Sequence, residues 1–208
     1  HIDEIAGLVA AMHARAAVAG AGAQYGQPCD IHHWVMENFV HIRTAPMDSN
    51  RRQQLDQLER WCQREFQLRE SVIQSRKSDG FVRECHGDLH LGNITRYKGR
   101  LQIFDGIEFN PSLRYIDVFA DLAFLTMDLA RLGRDDLARR LLDRYLQLTG
   151  DYDGLPLLRL YEVYRAMVRT KVAAIHASER NLGADEREQI VAELRRYLRV
   201  ANRLSKAP

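Results

Sequence analysis

Between Glu84 and Ile94 the chain runs Glu84-Cys85-His86-Gly87-Asp88-Leu89-His90-Leu91-Gly92-Asn93-Ile94, and a second acidic centre follows at Ile103-Phe104-Asp105-Gly106. A carboxylate, two imidazoles, a carboxamide and two glycines fall within a few residues, with another acid at the end of an apolar run. These are the groups needed to move a phosphoryl group onto a hydroxyl. The hydroxyl needs an acceptor for its proton and an in-line position, which Asp88 can give. The triphosphate needs Mg²⁺, a hard ion that takes a few oxygen ligands and keeps some waters. The neutral oxygen of Asn93 and the charged oxygens of Asp105 suit it. Gly87 and Gly92 let the backbone turn tightly around these side chains. The same residues admit a rival chemistry, because His86-x-Asp88-x-His90 alternates ligands that could converge on zinc for hydrolysis. No second His/Asp cluster in the sequence completes such a site.

The flanking sequence predicts how these groups are brought together. Phe81-Val82-Arg83 is a short strand leading into the loop. Ile94–Tyr97 and Leu101–Phe104 flank Lys98-Gly99-Arg100, a β-hairpin by alternation and turn chemistry that returns Asp105 beside Asp88 and Asn93. Upstream, Ile5, Leu8, Val9 and Met12 share one helical face. The Ala/Gly stretch from Ala14 to Gly26 loses periodicity and reads as a flexible loop ending at Pro28. Trp34, Val35, Phe39 and Val40 form an apolar patch open to two readings, a helical turn or a docking segment. From about Asp48 to Lys77 runs a long amphipathic helix, capped by Asp48 or Ser49, with Leu55, Leu58, Trp61, Cys62, Phe66, Leu68 and Ile73 at helical spacing. Ser78-Asp79-Gly80 stops it. Beyond Pro111 everything reads helical: about Tyr115 to Leu132, Asp135 to Leu148, Leu155 to Ser178 and Asp185 to Leu204. The expected fold class is α+β, mostly α, a catalytic-loop hairpin embedded in helices. It divides into residues 1–80 (helices and loop), 81–111 (central loop and hairpin) and 112–208 (helical part).

Bulk properties exclude several classes. With 208 residues, 46% of them apolar and 28% charged, the chain can bury a sizeable core. A net charge of +2 is too small to argue for nucleic acid or a membrane surface. Cys29, Cys62 and Cys85 lack metal or disulfide spacing and suit reduced thiols, and there is neither a signal peptide nor an apolar run of membrane-spanning length, so a cytoplasmic setting is expected. Arg131, Arg134, Arg139, Arg140 and Arg144 form one basic face and Arg195, Arg196, Arg199 and Arg203 another, both read as solvated helix faces.

His86-Gly87-Asp88-Leu89-His90-Leu91-Gly92-Asn93 resembles the HGDLHPGN loop of aminoglycoside phosphotransferase-like and choline-kinase-like proteins, relatives of the protein kinases. Phe104-Asp105-Gly106 is similar to their metal-binding segment, and Asp117-Val118-Phe119-Ala120-Asp121-Leu122-Ala123 to the helix start that follows it. The order and spacing match, with Leu91 in place of the usual Pro and with Ile116 and Val118 in place of Gly and Pro. The resemblance covers the larger, C-terminal lobe of that fold. The glycine-rich strand pair and strand Lys of the N-lobe have no counterpart before His86, so the N-lobe is expected to be absent from these 208 residues. The resemblance implies an ATP- and Mg²⁺-dependent O-phosphotransferase acting on a small hydroxylated metabolite. Asp88 would be the catalytic base, Asn93 and Asp105 the metal ligands, His86 a brace of the loop and Asp121 the anchor of its backbone. His90, Glu108 and Asp117 are candidates for substrate or supporting contacts. Glu108 is equally a surface carboxylate, and Asp117 with Asp121 equally a plain capped helix start. The closest-looking family members are sometimes fused to a P-loop kinase-like domain, a candidate fused or separate partner. A polycationic acceptor is not expected, since the helices after Leu129 are rich in Arg. The missing phosphate clamp also motivates another class: a non-catalytic remnant that only binds a partner or metabolite.

Overall fold

The helix α5 (Val118–Arg131) is buried at every position from Val118 to Ala130, mostly apolar side chains with Asp121, Thr126 and Asp128 among them, so its whole circumference and not one stripe faces protein. A helix of that kind belongs at the centre of a bundle, and α6 (Asp135–Thr149), α7 (Leu155–Ala177) and α8 (Ala184–Lys206) pack around it. The computed structural model describes residues 1–20, 22–45, 47–178 and 182–206. Before α5 in the chain, α1 (Ile2–Arg15) lies on α6, while α2 (Pro28–Ile42) and α3 (Ser49–Ser78) lie on α7 and on each other. The molecule is α+β and mostly α, with two small antiparallel sheets.

Most predicted helices stand. Asp48 caps α3, its side chain accepting from the Arg51 N–H, and Gly80 follows its end at φ +81°. Leu68, placed on the apolar stripe of α3, is instead 59% exposed. The patch around Trp34 is part of α2, whose Val35, Phe39 and Ile42 are buried.

Two expectations are corrected, for one reason. The strand β1 (Val82–Glu84) needs hydrogen-bonding partners on both edges, and the chain supplies them from segments read otherwise. On one side Tyr115–Asp117 forms β4, antiparallel to β1 with Arg83 opposite Ile116, so the helix expected from Tyr115 begins at Val118 after a short α4 (Pro111–Arg114). On the other side the supposed flexible loop pairs: Val18 bridges Arg83, Ala19 N–H donates to the Val82 carbonyl and Glu84 N–H to that of Ala17. The hairpin of β2 (Ile94–Tyr97) and β3 (Arg100–Ile103) turns at Lys98 and Gly99, both at positive φ as a two-residue type I′ turn requires. Among the described residues no helix is long and apolar enough to cross a membrane.

Candidate active site

The central loop leaves β1 at Glu84, and its backbone is held by carboxylates from α5. Asp121, fully buried, accepts hydrogen bonds from the backbone N–H of His86 (3.1 Å) and of Gly87 (3.0 Å). Two turns further along the same helix, Asp128 accepts from Leu91 N–H (3.1 Å) and is itself paired with Arg131 (2.6 Å). Three loop amides that would otherwise need water are satisfied by one helix face. Gly87 sits at φ +84°, and a Cβ there would lie 2.8 Å from the Leu113 carbonyl, so the loop can press against the α4 region only without a side chain.

The two imidazoles have separate tasks. His86 Nδ1 accepts from the Asp88 N–H (3.3 Å), which places its ring proton on Nε2 to donate to the Phe104 carbonyl (2.8 Å). His90 Nδ1 accepts from Gly92 N–H (3.0 Å), and its Nε2 faces the Asp88 carboxylate at 3.4 Å. Burial opposes the charge on Asp88, but the hydrogen bond and charge of His90 and the fields of Arg169 and Arg165 outweigh it and hold the carboxyl below its ordinary range. Asp88 therefore stays ionised at neutral pH.

Asn93 is buried and its amide nitrogen donates to the Asp88 carbonyl (3.0 Å), which turns the carboxamide oxygen away as the remaining acceptor. Past the hairpin, Phe104 N–H donates to the Asn93 carbonyl (3.1 Å) and Ile107 N–H to the His86 carbonyl (2.9 Å). With the His86 ring on the Phe104 carbonyl, these bonds staple residues 104–107 to the loop on both sides of Asp105. Asp105 itself is exposed and left-handed at φ +63°, a region that Asp enters more readily than most residues. Asn93 and Asp105 thus offer hard oxygen donors of the kind Mg²⁺ takes. Glu108 is exposed two residues beyond the stapled Gly106.

The zinc reading of His86-x-Asp88-x-His90 fails on geometry, because both nitrogens of His86 are occupied by backbone groups. The grouping of potential metal ligands among the described residues is a different one, His13, Cys85 and Asp121, all buried. It is better described as a hydrogen-bonded support. The Tyr145 hydroxyl donates to His13 Nδ1 (2.9 Å) and His13 Nε2 donates to Asp121 (3.2 Å). Burial, with the charges of Asp121 and Asp117, pushes the Cys85 thiol well up, so it is no thiolate ligand. Burial also opposes ionisation of Asp121, yet the bond and charge of His13 and the fields of Arg165 and His86 hold its carboxyl below the ordinary range.

Asp117 stands apart from the loop groups. It caps α5 through the Phe119 N–H (2.9 Å) and takes two bonds from buried Arg76 (2.7 and 2.8 Å). Arg76 gives two more to Asp151 (2.6 and 2.8 Å) and lies 4.1 Å from the Phe81 ring centroid. This closed cluster ties the end of α3 to the start of α5, so Asp117 fixes where Asp121 and Asp128 point. Sequence reasoning missed Asp128, His13, Tyr145, Arg76 and Asp151. Asp128 carried a signal, since seven residues after Asp121 is the same helix face. His13 carried a weaker one, as a polar residue on the apolar face of α1.

The chain is similar to the uncharacterized proteins Rv2004c and MT2060 of Mycobacterium tuberculosis and Mb2027c of Mycobacterium bovis, at 38% identity over 111 residues in each case. The alignment covers 53% of this chain and 22% of each relative, so the chain spans about a fifth of the length of the curated proteins it matches. No protein-family model matches the chain. No solved structure matches it either.

Proposed function

We propose that this chain is the catalytic lobe of a kinase-like O-phosphotransferase that moves the γ-phosphoryl group of ATP to a hydroxyl of a small metabolite. The observation that carries the reading is the stapled loop. It holds an ionised Asp88 against His90, with the Asn93 carboxamide pinned to the Asp88 carbonyl and Asp105 fixed next to the Phe104–Asn93 bond. One Asp88 oxygen faces His90, and the other is available to the acceptor. The acceptor hydroxyl would place its hydrogen on that oxygen, and the proton passes there as the new O–P bond forms and the bond from the γ-phosphorus to the ADP oxygen breaks. Asn93 Oδ1 and the Asp105 carboxylate are the residues that would hold Mg²⁺, which when bound neutralises phosphate charge. Positioning does the rest. The grip on the triphosphate comes, in this reading, from a part of the protein outside these 208 residues.

The test is ADP release from Mg·ATP by the full-length protein supplied with small hydroxylated metabolites. Asp88→Ala is expected to lower turnover about a thousandfold while nucleotide binding persists. Asp105→Asn is expected to abolish Mg²⁺-dependent nucleotide binding. Turnover retained in Asp88→Ala, or no nucleotide binding by the wild-type protein, would sink the assignment.

A further inference from the structure

The four arginines near the end of α8, which read from the sequence as one solvated face, are not equivalent in the fold. Arg203 is answered, giving two hydrogen bonds to Asp135 (2.7 and 3.0 Å). Arg195 and Arg199, one turn apart, are exposed, and neither side chain has an ion pair or hydrogen bond among the described residues. With Arg51 from the first turn of α3 they line a cleft of about 190 Å³, joined there by Gln54 and Leu198. Arg51 has a single acidic neighbour, Asp48 at 3.3 Å, in an exposed pair of the kind that contributes little. No carboxylate lines the cleft.

The cleft continues into a pocket of about 420 Å³, to which Arg51, Arg195 and Leu198 also belong. The walls of this pocket are mostly aliphatic. Ala45 and Met47 come from the link between α2 and α3, Ala177 from the end of α7, and Val191, Leu194 and Leu198 from α8. Ser178 and Arg187 complete the lining, and Arg187 is engaged by the Ala177 carbonyl (2.7 Å). Neither an aromatic ring nor an acid is part of it. Charges of one sign set over low-dielectric walls concentrate the field in a cleft and draw in the opposite charge. Here the charged end and the apolar end are two parts of one depression, so its complement is an anion with an aliphatic tail.

We infer that this depression binds a straight-chain fatty acid, the tail in the pocket and the carboxylate among Arg51, Arg195 and Arg199. Guanidinium groups match a carboxylate in shape and charge, and those of Arg195 and Arg199 stand in solvent where a ligand reaches them. The volume is that of a small-molecule site, well short of the area that a protein partner needs. The inference does not rest on the phosphotransferase reading, because Asp88 borders neither cavity.

Calorimetric titration of the full-length protein with octanoate tests it, with octanamide as the uncharged match, butyrate as the short acid and phosphatidylglycerol vesicles as an anionic lipid surface. Octanoate should bind at least about tenfold more tightly than octanamide, since the amide loses the charge-assisted pair. It should exceed butyrate by at least about twentyfold, because four more methylenes are buried. The double variant Arg195→Gln with Arg199→Gln changes exposed side chains only, should fold as the wild type does, and should erase the preference for acid over amide. Ala177→Leu narrows the pocket and should weaken octanoate and octanamide alike. Should Ala177→Leu not fold, the double variant and the chain-length comparison carry the test. Equal binding of octanoate and octanamide, butyrate as tight as octanoate, an unchanged double variant, or no octanoate binding, whether or not the vesicles bind, would overturn the assignment.

Discussion

Two arginines lie equally deep in this molecule and are served very differently. Arg76 gives four hydrogen bonds to two buried carboxylates, so every charge in its cluster is answered from within the chain. Among the described residues Arg165 gives one, to a carbonyl, and otherwise meets aromatic rings. A closed cluster of the first kind is architecture, and its neighbours are helix ends. An open cation of the second kind is answered by ring faces instead. The contrast teaches that the depth of a charge is less informative than which groups face it.

The largest effect should come from breaking the closed cluster. Arg76→Met leaves Asp117 and Asp151 buried without their cation and should cost about 3–5 kcal/mol of stability, read from urea unfolding. A cost below about 1 kcal/mol would mean that water or another side chain already serves those carboxylates.

An intermediate case sharpens the rule. Glu162 on α7 is half-buried, and burial pushes its carboxyl up to about 7, only partly offset by the Thr126 hydrogen bond and the charges of Arg159 and Arg203. Its folded value lies above the ordinary 4.5, so the folded protein holds this proton more tightly than the unfolded chain does. The group is harmless below about 4.5; stability declines as pH rises from there to about 7 and levels off beyond it. Glu162→Gln should therefore raise stability by about 1–2 kcal/mol at pH 8 and leave it unchanged near pH 4. Equal effects at the two pH values would remove titration as the cause.

The smallest effect is expected at the open cation. Arg165→Met exchanges a buried cation with no ion-pair contact among the described residues for an apolar chain of similar length and loses only its longer-range field on Asp88 and Asp121, so it should cost less stability than Arg76→Met. A loss as large as that of Arg76→Met would erase the distinction between the two sites.

Much of this was legible in the sequence, and the limit has a physical cause. Local signals were sufficient for α3, whose apolar spacing and Asp48 cap are written in consecutive residues, and for the existence of the hairpin, although Arg100, read as part of the turn, opens β3 opposite Tyr97. They failed at Ala17–Ala19 and Tyr115–Ile116, because those segments are extended only to complete the edges of β1, a demand set by residues far away in sequence. The loop motif named Asp88, Asn93, His86 and Asp121. It could not name Arg76 or Arg165, whose roles depend on what faces them across the bundle, and nothing in their immediate neighbours distinguishes them from the arginines on the solvated faces.

The chain of bonds from Tyr145 through His13 to Asp121 and on to the His86 and Gly87 amides has a kinetic side. Tyr145 and His13 are separated by 132 residues, and His13 and Asp121 by 108. Short-range structure can form early in such a chain, but contacts of that span wait for loop closure across most of its length. The complete relay behind the loop at His86 therefore requires α1, α5 and α6 to be docked together. A partly folded form that leaves α1 undocked would lack the His13 and Tyr145 support of Asp121 even when the other helices are in place.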